Sequence, residues 1–272
     1  MLTPTSIRPP PLRFYDHYQE DSMDSQPDQY QGVAESYDQT FKLLPYREHI
    51  EAFSLYRLLG DLRGRSVLDL ACGTGIFTRT IRRWGAERVI GVDISEDMVR
   101  VAREHEADEP LGIEYVVSDV AALGDLGQFD IAVAVYLLGY AASREVIVQM
   151  GRSIARNLKP GGRLLTYFVH PEVERTPHYY RKYGVDFFID EQLQEGDQMF
   201  FSLILGDTVT PRLFNHYWTL DTVGGAFEEA GFSAIRWIRP ELSEQGRAQY
   251  GDEFWQEYLR ANPCIWLEAV KA

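Results

Sequence analysis

VLDLACGTG, residues 67–75, is the stretch on which the reading of this 272-residue chain turns. Four of its first five residues, VLDLA, are apolar, as in a buried strand, and a helical pattern follows Gly75. Gly73 and Gly75 lack side chains, so a ligand can lie against the backbone there and the turn can take positive φ. The helix N-terminus that follows offers free N–H groups. A dinucleotide fold wants G-x-G-x-x-G at such a turn, but Thr78 holds the third glycine position. Asp69, four residues before Gly73, adds a negative charge beside the turn. It would repel a pyrophosphate and hold an ammonium group.

Outward from the turn come two further acids. Asp93, in VIGVDISEDM, lies 18 residues beyond Gly75, where a carboxylate can grip both ribose hydroxyls. Asp119, in YVVSDV, follows the next strand and is placed to accept from the exocyclic amine of a base. An amine, a ribose and an adenine contact in that order describe S-adenosylmethionine (SAM). Around them, short apolar runs at 66–71, 88–92, 113–117, 129–135 and 162–169 alternate with helical patterns near 76–84, 96–106, 119–123 and 143–157. That alternation predicts right-handed crossovers and a parallel sheet covered on both faces. A further helical pattern starts at residue 46 and stops near Gly60–Gly64. KPGG at 159–162 reads as a helix stop and a turn before a strand from Arg163.

Residues 170–218 break the rhythm. They are rich in His, Tyr and Phe and contain the strand-like runs 199–205 and 212–219. A helix near 221–230 capped by Gly231, a strand at 233–238, a helix near 250–260 and a last strand at 264–270 complete the chain. Residues 1–31 hold five of the 13 prolines and the polar run DSMDSQPDQ, and read as a disordered leader. Met23 offers an alternative start that would leave residues 1–22 outside the native protein.

Composition excludes several classes. Lys+Arg 27 against Asp+Glu 41 gives a net charge of −14, which argues against a nucleic-acid partner, since polyanions bind through basic clusters. No apolar run reaches the roughly 18 residues of a membrane helix, and no secretory signal is present. Two cysteines, Cys72 and Cys264, make neither a disulfide framework nor a four-ligand zinc site. A cytoplasmic protein without a metal is expected.

DLACGTG (69–75), GVDIS (91–95), SDV (118–120), QFDIAVAV (128–135) and LKPGGRL (158–164) resemble the successive motifs of class I SAM-dependent methyltransferases. The first glycine of the family's D-x-G-x-G-x-G turn is Ala71 here. The resemblance implies a Rossmann-like seven-stranded sheet, six strands parallel and the last antiparallel, with helices on both faces. A small antiparallel insertion at about 170–218 would cover the substrate, inside a domain of residues 32–272. IRRWGAERVIGVDIS, RKYGVDF (181–187), EEAGF (228–232) and FWQEYLRANPC (254–264) are similar to natural-product N-methyltransferases of the toxoflavin-pathway type. SAM, and its product S-adenosylhomocysteine, are the cofactors so implied.

The expected cofactor contacts are Asp69 on the amine, Ala71, Gly73 and Gly75 at the turn, Asp93 on the ribose, and Ile94 with Met98 as an apolar clamp on the adenine. Asp119 and Val120 lie at the base edge, with an N-cap as the plainer role of Asp119, and Val135 ends the fourth strand. Arg47 suits bidentate binding of the methionine carboxylate; a solvated helix face is its alternative. In the family the segment before the first helix closes over the sulfonium, which singles out Tyr37 and Tyr30 as cation-stabilising aromatics. Tyr136 and Tyr140 follow the fourth strand, on the side where ligands sit in open α/β sheets. His170, at the end of the fifth strand, is the candidate general base. His178, Tyr179, Tyr183, His216 and Tyr217, in the insertion, are candidate substrate walls, with packing of the cover as their plainer role. Cys72 reads as a buried filler.

The expected activity is methyl transfer to a nitrogen of a small secondary metabolite. O-methylation with His170 or His216 as base, and a SAM-binding cyclase or regulator on the same fold, are the alternatives. An NAD-dependent dehydrogenase is disfavoured by Asp69 and Thr78, and nucleic-acid or protein methylation stands lower still. The expected partner is a small molecule, with a second copy of the chain left open and neither nucleic acid nor membrane involved.

Overall fold

The computed structural model describes residues 34–272; the leader expected at 1–31, and Tyr30 within it, lie outside the described residues. Eleven strands are present among them: β1 Ser66–Leu70, β2 Arg88–Asp93, β3 Glu114–Val117, β4 Phe129–Val135, β5 Leu158–Val169, β6 Val185–Phe188, β7 Gln198–Leu205, β8 Thr208–Val209, β9 Leu213–His216, β10 Phe232–Ile238 and β11 Cys264–Lys271. Seven form one sheet in the order β10-β11-β5-β4-β1-β2-β3. β11 runs antiparallel to both β5 and β10, while β3, β2, β1, β4 and β5 pair in parallel. This is the expected Rossmann-like sheet with its last strand reversed.

The period of two along each strand splits the core between the two faces of the sheet. Leu68, Leu70, Ala132 and Ala134 face one apolar cluster with the helices Arg144–Asn157 and Leu220–Glu229. Val67, Ile131, Val133 and Val135 face the other, with the helices Phe53–Leu59 and Ile76–Arg83. Burial on both faces is why these strands read as continuous apolar runs rather than alternating ones.

The expected start of β5 at Arg163 holds for its regular ladder. Leu158 pairs with Phe129, the register then slips, and pairing resumes at Ile131 with Arg163, so KPGG forms an irregular lead-in to the strand. The helical pattern from residue 46 resolves into a π-helical turn, Arg47–Ala52, running into the helix Phe53–Leu59. The segment expected at 119–123 is a short 3₁₀ turn, Val120–Ala122, capped by Asp119. A second antiparallel sheet, β6, β7, β8 and β9, covers the carboxyl end of the main sheet. Its strand β6 and the helix Glu244–Tyr250 were not apparent in the sequence pattern. No described helix is long and apolar enough to cross a membrane.

Candidate active site

The ends of β1, β2, β3 and β4 open into a cavity of about 350 Å³. Gly73 sits on its wall at φ +56°, and Ala71, at the family's first glycine position, takes the same left-handed backbone at φ +56°. Asp93 is almost wholly buried and fixed by both oxygens: Gly73 N–H donates to Oδ2 at 2.7 Å, and Ser95 N–H donates to Oδ1 at 3.0 Å. The carboxylate therefore holds the β1 turn and the β2 turn together. Ser95 also caps the helix Glu96–Asp108 by accepting from Met98 N–H at 3.3 Å.

Ile94, Met98, Asp119, Val120 and Val135 line the same cavity. Ile94 is 66% exposed, an unusual position for a large apolar side chain and one that suits a flat ligand lying on it. Asp119 takes its capping role, Oδ1 accepting from Ala121 N–H at 2.8 Å, and the residue also lines the cavity.

Two expected turn contacts lie off the wall. Gly75 is the left-handed cap of the helix Ile76–Arg83, at φ +84°, and a Cβ there would collide with the Tyr115 ring. Asp69 is buried and off the cavity wall, and Thr78 Oγ1 donates to its Oδ2 at 2.6 Å. Thr78, which counted only against a dinucleotide, is therefore the anchor of this buried acid. Burial pushes the Asp69 carboxyl up to about 7, with the Thr78 bond opposing and the Asp93 charge adding to the rise. The native state thus keeps a proton that the unfolded chain releases near the ordinary carboxylate value of about 3.9. Stability should fall as pH rises from about 4 to about 7, because there the folded chain binds more protons. Asp69→Asn keeps the acceptor for Thr78, so its melting temperature should vary less across that window and exceed the wild type at pH 8.

Arg47, Tyr37, Tyr136 and Tyr140 stand between this cavity and a second, smaller one of about 50 Å³ beneath the cover. The Arg47 guanidinium is packed among the rings of Tyr37, Phe41, Phe77 and Tyr136, each centroid 5.5–5.7 Å away. It is ion-paired with Glu51 at 3.1 Å, both side chains being buried. The Tyr136 hydroxyl donates to Glu51. Burial pushes the Glu51 carboxyl up, and Arg47 and the Tyr136 hydroxyl draw it back. Burial also raises the Tyr136 phenol well above its ordinary value, so it stays protonated. Tyr136 has φ +66°, a conformation that costs a non-glycine residue of order 1–3 kcal/mol and persists where the surroundings enforce it. Its N–H donates to Tyr167 C=O at 2.7 Å.

The helical segment before Arg47 closes the top. Tyr37 approaches Gly73, Ala34 packs on Met98 and Val101, and Asp38 is bound by Thr74 and by His105 at 3.0 Å. The histidines and most tyrosines expected at the substrate lie elsewhere. His170 lines neither cavity; Glu172 N–H donates to its Nδ1, and burial lowers its pKa. His178 pairs with Asp186 at 2.8 Å on a largely exposed side chain. Tyr179 donates to Glu257 C=O and Tyr183 to Phe254 C=O, both in the packing under the cover. Tyr217 is half-buried and off both cavities. His216 reaches only a small void beside the second cavity, with Nδ1 on Gly196 C=O at 2.8 Å. Tyr179 and Tyr183 pack beneath the cover because a thin antiparallel layer needs aromatic bulk for its own core. The cover's contributions to the walls are instead Val185, Phe187, Phe201, Leu203, Phe214 and Asn215.

Residues 67–162 match the model of a methyltransferase domain family. Ubiquinone biosynthesis O-methyltransferases are similar to this chain: that of Xanthomonas oryzae pv. oryzae is 35% identical over 106 residues, and that of Coxiella burnetii 36% over 104. Each match covers 38% of this chain and 43% of the relative, so the chain spans less than half the length of these curated relatives. Among solved structures, a SAM-dependent methyltransferase from Mesorhizobium loti superposes with a TM-score of 0.56 at 22% identity, over 89% of this chain and 99% of that one. One from Clostridium acetobutylicum gives 0.60 at 15% identity, over 89% and 99%. Residues 67–162 thus resemble a methyltransferase domain, and the chain shares the fold of solved SAM-dependent methyltransferases.

Proposed function

We propose that the chain is a SAM-dependent methyltransferase acting on a nitrogen of a small-molecule acceptor, of the kind made in secondary metabolism. The observation that carries this reading is the pair of cavities sharing Tyr37, Arg47, Tyr136 and Tyr140 as a common wall.

The first cavity suits SAM on its donor set. Asp93 would take the ribose hydroxyls, Asp119 the adenine amine, and Ile94 with Met98 the adenine ring. Arg47 Nε is buried with no hydrogen-bond partner among the described residues, which suits a carboxylate. When bound, SAM supplies an electrophilic methyl on a sulfonium. The tyrosine rings at the common wall would face that cation and exclude water, and the second cavity would hold the acceptor in line. Alignment of this kind is a large part of what such a transfer needs.

A neutral amine needs no protein base to attack. Neither His170 nor any carboxylate is on the wall of the second cavity among the described residues, and that supports nitrogen as the acceptor. One observation favours oxygen instead: the hydroxyl of Tyr136, a residue on the wall of both cavities, is bonded to the buried Glu51 carboxylate and would pass on a proton taken from an acceptor hydroxyl. The named relatives are O-methyltransferases, which adds to that second reading.

Kinetics decide between them. With an amine acceptor, His170→Asn, His216→Asn and Tyr136→Phe should each lower turnover less than about tenfold, because only positioning is disturbed. With a hydroxyl acceptor, Tyr136→Phe should lower it by about 10²–10⁴-fold, the range for a general base. The pH profile reports the same difference, since an amine gives a limb that follows the acceptor's own pKa and survives all three replacements.

A further inference from the structure

The inner face of the cover sheet is apolar except at one position. Val185 and Phe187 of β6 stand opposite Leu203 and Phe201 of β7, and Leu213 of β9 opposite Phe201. Asn215, paired with Met199, is the polar side chain on that face. It is 4% exposed, it lines the second cavity, and its carboxamide has no hydrogen-bond partner among the described residues. Gly139 makes room for it, since a Cβ there would collide with the Asn215 amide. An occupant that covers this carboxamide without bonding it costs about 1–3 kcal/mol, so the cavity favours one that bonds it.

Two hydroxyls share the situation. Tyr46 and Tyr258, stacked at 5.7 Å and 24°, line the same cavity, are 6% and 1% exposed, and have no hydroxyl partner among the described residues. Burial raises the pKa of both phenols, so each remains a neutral group able to donate and accept. The charge on the wall, Arg47, is compensated by Glu51. Nothing else on that wall among the described residues would balance a charged occupant, and an unpaired charge is costly to bury.

We propose that the second cavity selects an uncharged, planar, single-ring acceptor that carries, beside the amine that takes the methyl, adjacent hydrogen-bond donor and acceptor groups such as those of a lactam, read by the Asn215 carboxamide and the Tyr46 and Tyr258 hydroxyls. The aromatic and aliphatic walls fit the faces of the ring, and the small volume limits it to one. This inference rests on the methyltransferase reading above, because it takes the second cavity as the acceptor's place.

The test is a titration of the full chain with four single-ring probes, followed by ligand-observed NMR at saturating S-adenosylhomocysteine. The probes are 2-pyridone, benzoate, benzylammonium and toluene. 2-Pyridone should bind at least about tenfold tighter than either charged probe, given the desolvation of an unpaired ion. Asn215→Leu should weaken 2-pyridone at least about fivefold, the value of one neutral hydrogen bond, while toluene changes less than about twofold. If Asn215→Leu does not fold by circular dichroism, Tyr258→Phe carries the same expectation. A charged probe that binds as tightly as 2-pyridone, or a variant that leaves 2-pyridone unaffected, overturns the proposal. S-adenosylhomocysteine affinity is measured first: its absence would sink the methyltransferase reading itself, whereas its presence with unselective probes refutes only the acceptor class.

Discussion

Arg47→Met should destabilise the fold by about 3–5 kcal/mol, the range for removing one partner of a buried ion pair. Glu51 is fully buried, and Arg47 is its ion-pair partner at 3.1 Å. Met fills much of the space among the four rings but leaves a carboxylate in an apolar surround. The variant's loss should depend on pH with a definite sign. Burial already raises the Glu51 pKa with Arg47 present, and removing the guanidinium raises it further. The native variant then holds a proton that the unfolded chain loses above about pH 4.3, so its stability falls as pH rises through that region. Denaturant unfolding at pH 5 and pH 8 checks this, with the larger deficit expected at pH 8. Arg47→Met combined with Glu51→Gln keeps an acceptor for the Tyr136 hydroxyl and removes the stranded charge. It should recover at least half of the loss. A single variant as stable as the wild type at pH 8 would mean that Glu51 is neutral in the native state.

The pair also marks the limit of what the sequence discloses. In REHIEA an arginine and a glutamate four apart look like a solvated helix face, since opposite charges at that spacing commonly pair on exposed surfaces. Only the packing of Phe41, Phe77 and Tyr136 around the guanidinium makes it an interior feature, and those residues come from three separate parts of the chain. The sheet was legible for the opposite reason. Its strands are buried on both faces, and each ends in short-range turn chemistry, so local patterns at β1, β2 and β4 carry the whole topology. The first cavity inherits that legibility because its walls are strand ends.

The second cavity does not. Its polar groups, Asn215, Tyr46 and Tyr258, stand in three separated segments, and local sequence does not distinguish them from His178, Tyr183 or Tyr217, which line neither cavity. One signal was available. In RLFNHYWT the alternation sets Leu213 and Asn215 on one face, and a lone amide on an apolar strand face asks for a partner. Asp69 is a different case: spacing places it at the turn, but the anchor of its side chain is Thr78, one helical turn into the next element.

Asp93→Ala should weaken SAM binding by about 3 kcal/mol, roughly hundredfold, on a scale of about 1.5–3 kcal/mol for lost hydrogen bonding to a charged group. The geometry argues for the upper part of that scale. Asp93 would lose its grip on ribose hydroxyls, and Gly73 N–H and Ser95 N–H would lose the acceptors that hold the two turns in place. Asp93→Asn separates the contributions. It keeps one carbonyl oxygen for Gly73 or Ser95 but turns the other position into a donor, which faces an N–H it cannot bond. The asparagine should therefore be nearly as damaging as alanine, although its shape is preserved. Calorimetric titration with S-adenosylhomocysteine reads both variants, and a thermal melt without ligand reports whether the turns have loosened. If asparagine binds within about threefold of wild type, the charge and the double backbone anchor are not what the turn depends on, and the cavity is organised by Gly73 and Ala71 alone.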